Sequence, residues 1–440
     1  MLINFRKLFT ANVIVGILGL VSLTLVSREL GAAAFGIFAV AVSISAFVEQ
    51  LSGFQAWQAV TKFATEEREK NDPKRFWKIV GLGVALDFIG CFLAALLGYF
   101  GVLVFASTLG IPQQSSAAVA FYMLALVFAF SGTPMAVLRI YEKYDTIGWV
   151  LVSVSALKLL LLSIFFSSGL TTNAALAIYA GTMMLQHLTF VYLLARIARR
   201  DQRLLKLSDL RWSDFKKFPG LLRFVGSVYL SATVRHISQE LDTLILSAAS
   251  GPAIAGQYRL AKQYGSVILR VIEPAQQVLY PRVARLVTLG QFDTLAALSK
   301  KVVWLGVGFS LILIAAYYFV GSHIVSIAVG EEYNRVPMFL GLYLVALSIF
   351  CCLFVLRPLV LSFGKPDAIL LIYVVATVTF LLSYYFLREL LGPAAMMIGQ
   401  IAFYSVWAVG MVITVYVCWR SKIRDATAAS DLDSDALKGP

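Results

Sequence analysis

Gly31-Ala32-Ala33-Ala34-Phe35-Gly36-Ile37-Phe38 separates two long apolar runs, and half a chain length later Gly251-Pro252-Ala253-Ile254-Ala255-Gly256-Gln257-Tyr258 separates two more. Both read Gly-x4-Gly-x-aromatic. Lys62 and Arg282 align at the same offset, each just after the second run of its set. Two glycines in a tight turn supply positive φ and close backbone approach, so the motif alone is a local signal. It gains weight from its surroundings. Apolar runs lie at 8–26, 34–58, 79–106, 116–138, 147–167 and 174–195, then at 222–248, 253–275, 302–325, 337–360, 367–387 and 392–419. Each approaches the ~20 residues that cross a hydrocarbon core. The expected fold is all-α integral membrane, with about 12 transmembrane helices in two pseudo-symmetric six-helix lobes. The organisation follows: a first lobe over 1–200, a basic linker over 201–221, a second lobe over 222–420 and a disordered tail over 421–440. An even number of helices per half makes the halves parallel repeats, whose binding sites lie at the repeat interface near the midplane.

Composition agrees. The 440 residues are 60% hydrophobic and 14% charged, which excludes a water-soluble domain. The gaps between runs alternate. One series is basic: Lys62 to Lys78, Arg139 with Lys143, Arg196 to Arg223, Arg282 to Lys301, and Arg420 to Arg424. The other is nearly free of Lys and Arg. By the positive-inside rule both termini face the cytoplasm. The net charge of +13 sits beside helix ends and so does not indicate a nucleic-acid partner. The first run is longer than a signal-peptide core and ends at Ser27-Arg28-Glu29 without a small-x-small site, so it reads as a retained helix. Cys91, Cys351, Cys352 and Cys418 all fall inside apolar runs and read as packing residues rather than a disulfide framework or metal site. No catalytic residue, metal site or cofactor is expected.

Charge inside a spanning run is costly and normally faces a cavity or a partner. The eighth run carries Arg259, Lys262, Ser266, Arg270 and Glu273, spaced three or four residues apart on one helical face. Leu260, Val267, Leu269 and Ile272 occupy the other side. The seventh run places Ser231, Arg235, Ser238, Gln239 and Asp242 on a common face, with His236 and Glu240 pointing elsewhere. Mutual ion pairing accounts for some of these residues. It leaves positive charge over, and a cationic cavity for phosphate oxygens takes up the surplus. Lys158 either lines that cavity or snorkels to an interface. Arg28 is an interfacial anchor or a substrate contact. Glu49 and Asp87 are candidates for a coupling cation or for salt bridges to a neighbouring helix. His187 reads as a hydrogen-bonded packing residue. The linker segment 204–218, with Trp212 and Phe215 among basic residues, reads as a surface helix on anionic lipid or as a mobile connector.

Leu25-Val26-Ser27-Arg28-Glu29-Leu30-Gly31, running on to Gly36-Ile37-Phe38-Ala39, resembles the start of polysaccharide-repeat flippases. Leu241-Asp242-Thr243-Leu244-Ile245-Leu246, followed by Gly251 through Tyr258-Arg259-Leu260-Ala261, does the same. These are the Wzx-type O-antigen and exopolysaccharide exporters of the MOP superfamily. The resemblance implies a V-shaped, two-lobed transporter in the bacterial inner membrane. It implies an undecaprenyl-diphosphate-linked oligosaccharide as substrate, membrane lipids as surroundings, and a polysaccharide polymerase and export machinery as partners. Lipid II flippases of that superfamily carry two more C-terminal helices than are expected here. MATE-type drug exporters share the twelve-helix plan and form the alternative reading. A polymerase or ligase is the third, disfavoured by short outer gaps. The absence of a Walker motif speaks against ATP hydrolysis.

Overall fold

A computed structural model describes residues 2–166, 169–201, 218 and 220–436, with side chains left undescribed at some positions within these ranges. Among the described residues there is helix and no strand. The helices are α1 (Leu2–Ser52), α2 (Pro73–Phe105), α3 (Gln113–Leu124), α4 (Gly132–Ile140), α5 (Tyr144–Phe166), α6 (Thr172–Arg200), α7 (Leu221–Ser250) and α8 (Pro252–Thr288). They continue as α9 (Phe292–Ala316), α10 (Ser322–Val329), α11 (Val336–Leu353), α12 (Leu356–Ser362), α13 (Pro366–Leu391) and α14 (Ala394–Ala436).

Local chemistry sets the breaks. α1 bends at Gly31, where φ is 71° and ψ is 169°, so its two arms are two of the expected spans. α2 opens with Asp72 accepting from the Arg75 N–H at 3.0 Å and with Pro73 in the first turn. α7 ends at Gly251, whose φ of 85° and ψ of 162° closely repeat those of Gly31. α13 and α14 join at Gly392, also at positive φ.

Among the described residues, eight stretches are long and apolar enough to cross a bilayer. Two of them, Phe9–Ser52 and Pro366–Ser421, are far longer than one ~20-residue pass and contain the breaks at Gly31 and Gly392. α7 and α8 are 30 and 37 residues long, on the order of 45 and 55 Å at helical rise. With those two stretches each divided into two arms, and with α7 and α8 added on length alone, the number equals that of the twelve apolar runs. Their outward faces carry Tyr318, Ile327, Phe386 and Leu390, each at least 72% exposed. A surface of that kind requires lipid rather than water.

Packing divides the chain into Met1–Leu260 with Ala328–Tyr333, and Ala261–Ile327 with Asn334–Pro440. The division falls inside α8 rather than in the basic linker, because α7 packs on α1 and Tyr229 donates to the Leu51 carbonyl at 2.5 Å. Residues 202–217 and 219, the bulk of the expected surface helix, lie outside the described residues. The tail expected to be disordered continues as helical backbone to Ala436 in an alanine-containing stretch. The first unit has an apolar core around Phe76, Trp77, Val80 and Val137. The second is centred on Val355, Leu359, Ala376 and Trp407.

Within the first unit the duplicated glycine motifs meet. A Cβ on Gly36 would lie 2.3 Å from the Pro252 carbonyl oxygen, and one on Gly256 would lie 2.8 Å from the Gly36 Cα. Two loops brace this contact in a reciprocal pattern. Ser247 donates to the Leu109 carbonyl at 2.7 Å, and Gly110 packs on Pro252. At the half-chain offset, Tyr333 donates to the Ser27 carbonyl, and Glu332 accepts from the Ala32 N–H at 2.9 Å at the start of the second arm of α1. Gly110 and Gly330, both at positive φ, stand at that same offset. The repeat therefore extends into the loop after the third pass of each half. Together these contacts form a clasp.

Candidate functional site

Side chains from the second arm of α1 and from α3, α5, α6, α7 and α8 form a polar group inside the first unit. Arg259 donates to the Glu240 carboxylate at 2.8 Å and to the Ser43 hydroxyl, so it ties α8 to α7 and α1. The side chains of this pair keep 16% and 26% of their exposure. Tyr122 shares a hydrogen bond with Ser45 and stands within electrostatic reach of Arg259 and Glu49. Lys158 sits 4.6 Å from the centre of the Tyr179 ring, a cation-π contact in the interior rather than at a helix end. Tyr179 in turn stacks edge-on against Phe38.

Asp242 has a different role from the one expected for a cavity acid. It is fully buried. One carboxylate oxygen accepts from the Thr243 N–H at 2.6 Å and the other from the Tyr258 hydroxyl at 2.6 Å. This joins α7 to α8 across the turn at Gly251. Asp242→Ala would remove the buried acceptor of the Tyr258 hydroxyl, a loss of about 1–3 kcal/mol. The expected result is a clear fall in melting temperature of the purified protein, whereas Glu240→Ala lowers it far less.

Asp87 accepts from the Thr133 N–H at 2.6 Å, where the chain between α3 and α4 leaves helical geometry. Its carboxylate therefore caps α4, a structural task in addition to any cation binding. Glu49 is exposed on the second arm of α1. Cys91 lies within electrostatic reach of both acids. Among the described residues no group of three metal-ligating side chains is present. His187 Nδ1 lies 2.7 Å from the Ser131 hydroxyl, as a packing histidine would.

The α8 stripe matches the expected division of faces only in part. Leu260, Gly265, Ile268 and Ile272 are buried, while Arg259, Lys262, Ser266 and Arg270 are half-buried. Ser266 donates back to the Gln263 carbonyl of its own helix at 2.7 Å. Val267 and Leu269, assigned to the apolar face, are only half-buried. Arg259 belongs to the first unit; Lys262 and Arg270 belong to the second. The side chains of Arg235, Gln239 and Glu273 lie outside the described residues. Arg28 is exposed near the turn at Gly31.

Sequence reasoning missed Ser43, Tyr122, Tyr179 and Tyr258, because a lone hydroxyl or aromatic in an apolar run carries no signal of its partners. Glu240 was seen but not placed with Arg259. The Gly110–Gly330 correspondence was available at the half-chain offset.

Residues 2–287 match a family model described as "Polysaccharide biosynthesis protein". The chain is 24% identical over 339 residues to the inner membrane protein YghQ of Escherichia coli K12, covering 75% of this chain and 92% of that one. Among solved structures, the lipid II flippase MurJ in an inward closed conformation superposes with a TM-score of 0.70 at 11% identity, covering 93% of this chain and 87% of that one. An inward-facing multidrug resistance MATE transporter of the MOP superfamily gives 0.66 at 14% identity over 95% of both chains. A Pyrococcus furiosus MOP superfamily transporter, described as having a binding pocket of reverse polarity, gives 0.63 at 12% identity over 95% of both. The fold is thus that of the MOP superfamily.

Proposed function

The chain belongs to the polysaccharide biosynthesis protein family, and from that premise we propose that it flips an undecaprenyl-diphosphate-linked oligosaccharide between leaflets of the bacterial inner membrane. The direction is from the inner to the outer leaflet, in support of O-antigen or exopolysaccharide assembly. A polysaccharide polymerase and export machinery then receive the product. The work is transport, with no covalent chemistry by this chain. The observation that carries the reading is the set of half-buried cations along α8, Arg259, Lys262 and Arg270, on a helix of membrane length whose Leu260, Ile268 and Ile272 are buried. Guanidinium and ammonium groups at membrane depth suit a diphosphate, whose oxygens accept several charge-assisted hydrogen bonds. The family match and the likeness to a lipid II flippase support it. Deleting the gene should leave lipid-linked repeat units on the cytoplasmic leaflet and remove surface glycan. Surface glycan at wild-type level in the deletion strain contradicts this function.

The clasp supplies one end of an alternating-access cycle. Its loops come from the gaps poor in Lys and Arg, the extracytoplasmic ones by the positive-inside rule. When closed, it shuts the site from that side; when open, it releases the glycan outward. A thiol-specific cross-linker between Ala32→Cys and Glu332→Cys, in a chain lacking its four native cysteines, should stop export. A cleavable linker should restore it on reduction. Undiminished export by the cross-linked protein would remove the clasp from the cycle.

A second reading, a cation-coupled exporter of drugs or metabolites, draws on Glu49 and Asp87 in the same unit as Arg259 and on the MATE-like fold. It predicts that overproduction raises drug resistance and that Asp87→Asn abolishes the effect. The flippase reading predicts unchanged drug susceptibility.

A further inference from the structure

The two acids of the last turns of α7 sit in opposite environments. Asp242 is sealed and fully committed to Tyr258 and Thr243. Glu240 is partly accessible and pairs with Arg259 at 2.8 Å. A charge pair on spanning helices does not turn its open side to hydrocarbon, so that exposure faces water. A partly exposed pair of this kind is weak enough to exchange. The arginine is also held by Ser43, so it keeps its position when the carboxylate leaves.

We propose that Glu240 is an internal competitor for the substrate's diphosphate. With the site empty, its carboxylate occupies Arg259. A diphosphate brings more charge and more acceptor oxygens than one carboxylate, and displaces it. When the carrier is to leave, Glu240 recaptures Arg259 and speeds release. The inference rests on the flippase reading and names a residue that sets affinity and turnover without binding the substrate. Competition of this kind lowers apparent affinity by the fraction of sites in which Arg259 is free. Removing the competing charge therefore raises affinity.

The test is equilibrium binding of undecaprenyl diphosphate, and of inorganic pyrophosphate, to the purified full chain in nanodiscs. Export by the same variants is measured in cells. Glu240→Gln should bind undecaprenyl diphosphate about three- to tenfold more tightly than wild type. It should dissociate more slowly and export less. Glu240→Asp, which keeps the charge, should stay close to wild type in affinity. Arg259→Gln should bind weakly whatever stands at 240. If Glu240→Gln binds no more tightly while melting at the wild-type temperature, the competitor role is wrong. If Glu240→Gln is poorly folded, Glu240→Asp binding more tightly than wild type overturns it equally. If Arg259→Gln binds undecaprenyl diphosphate as well as wild type does, the diphosphate role of Arg259 itself fails. That outcome is distinct from failure of the competitor alone.

Discussion

Cells carrying the triple variant Arg235→Ala, Arg259→Ala, Arg270→Ala as their sole copy should keep the protein in the membrane and lose surface glycan. Hydrogen bonds to charged groups contribute about 1.5–3 kcal/mol each. Losing even two of them from the step that holds a diphosphate amounts to roughly a hundredfold or more. Arg259 should carry the largest share of this effect. Among the described residues its anionic partner is Glu240, and the pair remains partly accessible. Arg270 is half-buried on the same stripe, about three turns further along α8. Membrane abundance by immunoblot separates loss of function from loss of fold. Normal glycan export by the triple variant would remove these three residues from the transport path.

The second large effect concerns the clasp. Gly36→Leu should cut export at least about tenfold and lower the melting temperature. A Cβ at that position meets the Pro252 carbonyl oxygen at 2.3 Å and the Ala253 nitrogen at 2.6 Å. These are backbone atoms of the turn that leads into α8, and they cannot rotate away as a side chain would. Overpacking of this sort costs about 1–3 kcal/mol in a well-packed core and more where the clash is with main chain. Here the cost falls only on conformations in which the clasp is closed. Gly101→Leu is the matched control: it lies in α2 with open space around its Cβ position, and it should be near neutral. Equal sensitivity of Gly36 and Gly101 would show that bulk within the membrane, rather than closure of the clasp, is what the cell detects.

The fold was legible because its strongest determinants are local. Apolar runs of bilayer length, positive-φ glycines and alternating basic gaps each act within a few residues of their own position. The Gly-x4-Gly duplication marked positions of close backbone approach, and Gly36 and Gly256 are where two backbones touch. It did so because close approach and absence of a side chain are the same requirement. The site was less legible. Helical periodicity placed Arg259 on a polar face, but it could not place Ser43 or Tyr122 beside it, since those contacts span most of the first half of the chain. Asp242 and Glu240 show the limit well. Only two residues apart, both are acids on one helix, and their roles are set by which of them the neighbouring Tyr258 seals. The charge balance differs from the sequence reading too. In the first unit Arg259 and Lys158 stand with Glu240, Glu49 and Asp87, so the positive surplus rests on residues along α7 and α8 rather than on this group alone.

The central claim is movement of a diphosphate-linked glycan through this protein. Its most direct test uses purified protein in proteoliposomes loaded with lipid-linked repeat units extracted from the source strain. A glycosidase or lectin added outside reports how much glycan is accessible. Wild-type protein should bring glycan trapped on the inner leaflet to the outer face, raising the accessible share well above that of protein-free vesicles, and Arg259→Gln should not. Accessible glycan that stays at the protein-free level with wild-type protein, or that rises equally with Arg259→Gln, would contradict the account.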